Sequence, residues 1–202
     1  MRVGIFGGTF NPIHMGHLII AEHILDAAQL DKIIFIPAQS PPHKSLSLTD
    51  SAEHRYEMVR LAISGNSRFE ISDIELKRNS KSYSVETVRE LKKVYPNDKL
   101  FFIIGSDTFY ELGTWFDLPG ILEIVEFLVV RRPGYIDKYI NTLDQAMEDF
   151  AIIHGVNISL VDAPLIQISS TLIRDKYENG ASIRYLVPEN VMSFIGARGL
   201  YE

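Results

Sequence analysis

The sequence predicts an α/β protein with a doubly wound parallel sheet and a small C-terminal helical segment. Three observations carry that prediction. Short apolar runs rich in β-branched and aromatic residues recur along the chain, as expected of strands buried on both faces. Between them lie stretches long enough for crossover helices, with apolar residues at helical spacing. Two of the runs, the first and the fourth, end directly in glycine, at Gly7 and Gly105.

Each element follows in order. Arg2–Phe6 reads as the first strand, and His17–Ala28 as a helix with Leu18, Ala21, Leu25 and Ala28 along one face. Lys32–Ile36 is the second strand. Pro37–Thr49 (PAQSPPHKSLSLT) has no periodicity, and a connection of that length inside a compact domain is a candidate functional loop. Asp50–Ser64 is a helix in which Asp50 and Glu53 make a variant of the capping box. Arg68–Ser72 is the third strand. Ser84–Tyr95 carries Val85, Val88 and Leu91 at helical spacing and stops at Pro96. Lys99–Ile104 and Glu126–Val130 are the fourth and fifth strands, Tyr135–Phe150 a helix, and Asn157–Val161 the sixth strand. Pro188–Ala197 closes the series, its proline suited to a first helical position. The expectation is a single domain over 1–202, with 165–202 as a C-terminal subregion.

If the winding reverses after the third strand, the first and fourth strands become neighbours. The loops opening at Gly7 and Gly105 would then flank the crevice where open sheets of this type bind ligands. Glycine at both places would let backbone approach a ligand closely.

Composition removes several classes of function. The 202 residues include no cysteine, which excludes disulfides, thiolate catalysis and Cys-based zinc sites. A formal charge of −6 argues against broad nucleic-acid binding, which needs a basic surface. Charges or turn residues interrupt every apolar run well short of a membrane span, and the N-terminal residues lack a signal-peptide pattern. The expected location is cytoplasmic, with no nucleic-acid or membrane partner; a homo-oligomer stays open.

Chemistry concentrates in two segments. In the first, Gly7-Gly8-Thr9 leads to His14-Met15-Gly16-His17. A glycine-rich turn between strand and helix offers N–H groups to an anion, but the same glycines also suit a tight turn alone. Neither GxGxxG nor a P-loop is present. Histidines three apart could both face a phosphate or a metal, though no third ligand stands near enough for a protein-only metal site. The second segment is Ile168-Ser169-Ser170-Thr171-Leu172-Ile173-Arg174, whose hydroxyls could cap a helix or bind an anion, with Arg174 one turn on. Gly105-Ser106-Asp107 suits a ribose hydroxyl, and Trp115 is either core or a stacking platform. Lys44 with His43, and Arg131-Arg132, are basic groups in loops.

Together, GGTFNPIHMGH and ISSTLIR resemble the nucleotidyltransferase superfamily marked by HxGH and ISSTxxR motifs. The ordered set GTFNPIHMGH, PPHK, SYSVETV, GSDTFYELGTWFD and YLVPENVMSFI is similar to the bacterial nicotinate-nucleotide adenylyltransferases, over nearly the whole chain. The resemblance implies a Rossmann-like nucleotidylyltransferase fold and transfer of AMP from ATP to nicotinate mononucleotide, giving deamido-NAD and pyrophosphate. It implies Mg2+ held by the phosphates rather than by protein side chains. Gly7, Gly8, Thr9, Phe10, His14 and His17 would meet the ATP phosphates, with Ile168, Ser169, Ser170 and Arg174 holding them from the other side. Gly105 and Asp107 would meet a ribose, and Trp115 would stack on the nicotinate ring. Backbone N–H groups near Ser84, Val85 and Phe116 would receive the carboxylate. Lys44 and His43 would lie in the long loop by the substrate phosphates, and Tyr83 would be a structural neighbour. His14, His17 and Arg174 are the expected catalytic groups. The alternatives are another acceptor, nicotinamide mononucleotide or phosphopantetheine, and a catalytically idle nucleotide sensor. A nicotinamide-dependent oxidoreductase is disfavoured by the missing GxGxxG.

Overall fold

The computed structural model describes residues 1–39, 51–78, 83–131 and 140–202, the last stretch by backbone alone at 140–142. In chain order the elements are β1 (Arg2–Gly8), α1 (Met15–Ala27), β2 (Lys32–Pro37), α2 (Ala52–Ile63), β3 (Phe69–Ile71), α3 (Ser84–Val94), β4 (Lys99–Gly105) and α4 (Ser106–Phe109). After a 3-10 turn at Leu112–Thr114 come α5 (Leu118–Leu122), β5 (Val125–Val130), α6 (Ile140–His154), β6 (Ile158–Val161), α7 (Ser170–Glu178) and α8 (Glu189–Arg198). The strands form one sheet in the order β3-β2-β1-β4-β5-β6. The winding does reverse after the third strand, so β4 lies parallel to β1.

The chain divides into two compact units. The first comprises Met1–Phe6, His23–Ile33 and Tyr83–Gln167. Here β1 pairs with β4 from Arg2↔Lys99 to Ile5↔Phe102, β4 with β5 through Gly105↔Val130, and β5 with β6 through Val130↔Val161. The runs KLFFIIG and VEFLVV are buried almost throughout because helices leave neither sheet face to water. Gly4 interrupts the first strand for a reason of space. A Cβ there would stand 2.8 Å from Leu30 Cδ1 and 3.0 Å from Ile33 Cγ1. Asp117, at φ 50°, caps α5 by accepting from the Gly120 N–H and pairs with Arg89 at 2.7 Å.

The second unit comprises Gly7–Glu22, Ile34–Ser82 and Ile168–Glu202. Ser51 caps α2, its Oγ accepting the His54 N–H at 3.2 Å. Glu53 sits beside it, and its carboxyl is held below the usual range by its own backbone N–H and then by the Ser51 hydroxyl. Ser169 caps α7 through the Leu172 N–H, and Asn190 on α8 donates to the Leu61 carbonyl of α2 at 2.7 Å. Gly199, at φ 57°, ends α8 in the left-handed conformation that glycine takes without strain.

Several boundaries differ from expectation. The cap of α2 is Ser51, and the proposed partner Asp50 lies outside the described residues. Pro188 is the residue before α8 rather than its first helical one. Helix α6 runs on to His154, where Gly155 at φ 64° turns the chain; residues 135–139 of its expected start lie outside the described residues. Helix α1 begins two residues early, for a reason that belongs to the site below. No helix among the described residues is long and apolar enough to cross a membrane.

Candidate nucleotide-binding site

The second unit gathers both motif segments. Strand β1 ends at Gly8, whose carbonyl accepts from the Ala38 N–H at 2.9 Å. Phe10 follows in the left-handed region at φ 49° with its ring buried. That ring stands edge-on to His17 at 5.1 Å and tilts against Phe35 at 5.9 Å. A Cβ on Gly8 would fall 2.9 Å from the same ring, so glycine is required by the packing of Phe10. The Asn11–Pro12 peptide is cis.

His14 occupies the cap position of α1, and its carbonyl accepts from the Leu18 N–H. The His17 N–H is shared between the His14 carbonyl at 3.0 Å and His14 Nδ1 at 3.3 Å, while His17 Nδ1 accepts the His14 N–H at 3.3 Å. This is the reciprocal bonding of a capping box, made by two imidazoles in place of the usual Ser and Glu. It accounts for the early start of α1. The rings stack at 3.6 Å between centroids, 22° from parallel. The arrangement favours one tautomer: a ring whose Nδ1 accepts a hydrogen bond carries its proton on Nε2. Both histidines are therefore N–H donors at Nε2, at a helix N-terminus that favours anions.

The ISSTLIR segment reaches this turn directly. Ser170 Oγ donates to the Pro12 carbonyl at 2.9 Å, and Arg174 Nη1 donates to the Asn11 carbonyl at 2.7 Å. Arg174 Nη2 also reaches Thr171 Oγ1 at 3.4 Å. Ser169 is spent on the cap of α7, and Ile168 just before it is half-buried. Thus the structure joins Ser170 and Arg174 to the backbone of the N-terminal motif, across 158 and 163 residues of sequence.

Two further residues hold the same turn and were missed from sequence. Arg55 of α2 is fully buried, donating to the Thr9 carbonyl at 2.8 Å and to the Gln39 carbonyl at 3.1 Å. Its signal was an arginine in line with Ala52, Met58 and Val59 on the buried face of α2. Tyr201 donates its hydroxyl to Asn11 Oδ1 at 2.6 Å, and no pattern in the sequence marks it.

The first unit carries the remaining predicted residues. Gly105 precedes α4, where Ser106 is buried and Asp107 half-buried. Trp115 is half-buried and edge-on to Phe102 at 5.6 Å and Phe127 at 6.3 Å, so part of its indole is core. Phe116 is exposed, with Tyr83 against it at 4.9 Å. Ser84 and Val85 open α3, and as its first two residues their N–H groups have no carbonyl one turn back within the helix to bond. Arg131 is engaged by Asp162 at 3.1 Å and Asp144 at 3.4 Å. Lys44, His43 and Arg132 lie outside the described residues. No group of three or more His, Cys, Asp or Glu among the described residues is placed to hold a metal ion.

A doubly wound sheet whose first strand passes through a glycine turn into a donor-lined helix N-terminus defines an α/β protein of the nucleotide-binding class. The chain belongs to the cytidylyltransferase-like family, which it matches over residues 5–176. It is similar to a probable nicotinate-nucleotide adenylyltransferase of Geotalea daltonii, 45% identical over 212 residues that cover 100% of this chain and 98% of that protein. A protein of the same description from Exiguobacterium sibiricum is 43% identical over 201 residues, covering 100% and 99%. Among solved structures, a nicotinic acid mononucleotide adenylyltransferase of Plasmodium falciparum complexed with NaAD shares the fold. Its TM-score is 0.79 at 18% identity, over 99% of this chain and 97% of that one.

Proposed function

We propose that the protein transfers AMP from ATP to nicotinate mononucleotide, forming deamido-NAD and pyrophosphate in NAD biosynthesis. The observation that carries the reaction class is the imidazole pair, fixed as Nε2–H donors on a turn to which Ser170 and Arg174 are bonded. The full-length likeness to nicotinate-nucleotide adenylyltransferases supports the named acceptor.

The chemistry follows from charge. A phosphate oxygen of the acceptor attacks the α-phosphorus of ATP, a P–O bond forms, and the bond to the β-phosphate bridging oxygen breaks. The attacking oxygen is already anionic, so no side-chain nucleophile is needed and no adenylyl-enzyme forms. The reaction instead requires two anions brought in line and the developing charge stabilised. His14, His17 and Arg174 take that role toward the triphosphate, with the Gly7–Phe10 backbone, Ile168, Ser169 and Ser170 shaping its surroundings. Gly105 and Asp107 meet a ribose, and Trp115 offers its accessible face to the pyridine ring. N–H groups of Ser84, Val85 and Phe116 receive its carboxylate, and the cationic groups Lys44 and His43 are assigned to the substrate phosphates by the sequence motif alone. The donors of the motif turn are N–H groups, hydroxyls and a guanidinium, which suit an anion and not a metal. Mg2+ carried by the triphosphate would supply charge neutralisation there, with no protein side chain needed as its ligand. The protein works in the cytoplasm on small molecules.

Pyrophosphate release measured with ATP plus nicotinate mononucleotide, nicotinamide mononucleotide or phosphopantetheine in parallel tests the reading. Preference for either of the latter two overturns the acceptor, release with none favours a sensor, and AMP trapped covalently on a side chain overturns direct displacement.

A further inference from the structure

Asn11, three residues before His14, is held twice. Its carbonyl accepts from Arg174 at 2.7 Å, and its side-chain Oδ1 accepts the Tyr201 hydroxyl at 2.6 Å. Asn11 is buried, so water does not compete for that oxygen, and a short hydrogen bond in such surroundings is strong. Tyr201 reaches it from backbone at φ 65°, two residues after Gly199 ends α8 at φ 57°. A tyrosine is strained in that region and adopts it only where its surroundings over-determine the conformation. Leu200 between them is buried, and its N–H donates to the Ile195 carbonyl at 3.1 Å. The hydroxyl also lies 3.9 Å from Met58 Sδ, but it has one proton, and the shorter bond to Asn11 takes it.

We infer that Tyr201 is a positioning residue for the transfer reaction: its hydroxyl fixes the Asn11 side chain and, through it, the turn that presents His14. This rests on the reading of the histidine pair as phosphate donors. The reciprocal His14–His17 bonds stand at 3.3 Å, near the outer limit for an N–H donor, so a small displacement of residues 11–14 opens them. Once open, the rings no longer aim Nε2–H at a fixed point, and in-line chemistry is sensitive to such displacement. Turnover then suffers more than substrate binding.

Tyr201→Phe keeps the ring and loses only the hydroxyl, with its bond to Asn11 and its approach to Met58 Sδ. With ATP and nicotinate mononucleotide, kcat should fall about five- to tenfold while both KM values stay within about twofold. A role in stability alone would lower Tm and leave turnover per folded molecule unchanged. Because the effect passes through Asn11, Tyr201→Phe should cost nothing further in an Asn11→Ala background. It should keep its full cost in Asn11→Asp, which retains the acceptor oxygen and serves where Asn11→Ala does not fold. An unaltered kcat in Tyr201→Phe, or additive losses with Asn11→Ala, overturns the inference while wild-type turnover leaves the functional reading standing. A wild type that releases no pyrophosphate with any acceptor overturns both.

Discussion

Replacing Arg55 with methionine should cost the protein about 2–4 kcal/mol of stability. The side chain is fully buried, and its guanidinium donates to two backbone carbonyls, those of Thr9 at 2.8 Å and Gln39 at 3.1 Å. Methionine fills a similar elongated space and carries no charge into it, so neither a large cavity nor a stranded cation contributes. Among the described residues, two acceptors lose their partner, each worth about 1–3 kcal/mol when left unsatisfied. Both carbonyls belong to half-buried residues, which places the sum toward the lower part of that range. In a chain of this size the change corresponds to a fall in Tm of roughly 5–15 °C. Urea unfolding followed by circular dichroism, with Arg55→Lys alongside, measures it. Lysine carries one ammonium in place of the two-pronged guanidinium and should recover only part of the loss. If Arg55→Met unfolds within about 0.5 kcal/mol of the wild type, the two carbonyls do not depend on Arg55 and the reasoning fails.

His17→Ala removes an Nε2–H donor and the acceptor of the His14 N–H. It should lower kcat by about 10²-fold or more while costing only about 1 kcal/mol of stability, read from steady-state pyrophosphate release and thermal melts. Gly8→Ala drives a methyl into the Phe10 ring, which rests on His17, so activity should drop well before the fold is lost. Normal turnover there would mean the ring yields without moving His17. Ser51→Ala removes the cap of α2, worth about 1 kcal/mol or 2–4 °C of Tm. It also releases Glu53, whose carboxyl is held low by its own N–H and by Ser51. A depressed carboxyl stabilises the fold above its unfolded-state pKa, and that share disappears as pH falls through the folded-state value. The Tm gap between wild type and Ser51→Ala should therefore be widest near neutrality and narrow below about pH 4. A gap constant with pH would remove Glu53 from the account.

Much of the sheet was legible because strands buried on both faces write themselves as continuous apolar runs, as in KLFFIIG and VEFLVV. Their order followed once the winding reversed after β3. The start of α1 was not legible, because histidine is outside the usual set of cap residues and its ring had to be seen bonding to His17. The two motif segments were recognisable as residue types, but their hydroxyl and guanidinium groups proved to bond backbone carbonyls of Asn11 and Pro12. Such bonds depend on three-dimensional approach and leave no spacing in the sequence. Tyr201 was invisible for the same reason, contacting the turn across 190 residues, whereas Arg55, 46 residues from Thr9, showed only as an arginine in line with the buried face of α2.

Those separations have a consequence for synthesis. A ribosome delivers the FNPIHMGH segment early, whereas Ser170, Arg174 and Tyr201 follow 158, 163 and 190 residues behind the backbone they hold. Local helices can form as the chain emerges, but the Tyr201 bond to this turn forms only when the segment after α8 is free to fold back. A nascent polypeptide that has not yet delivered these three residues would thus own the histidines without the side chains that hold their turn.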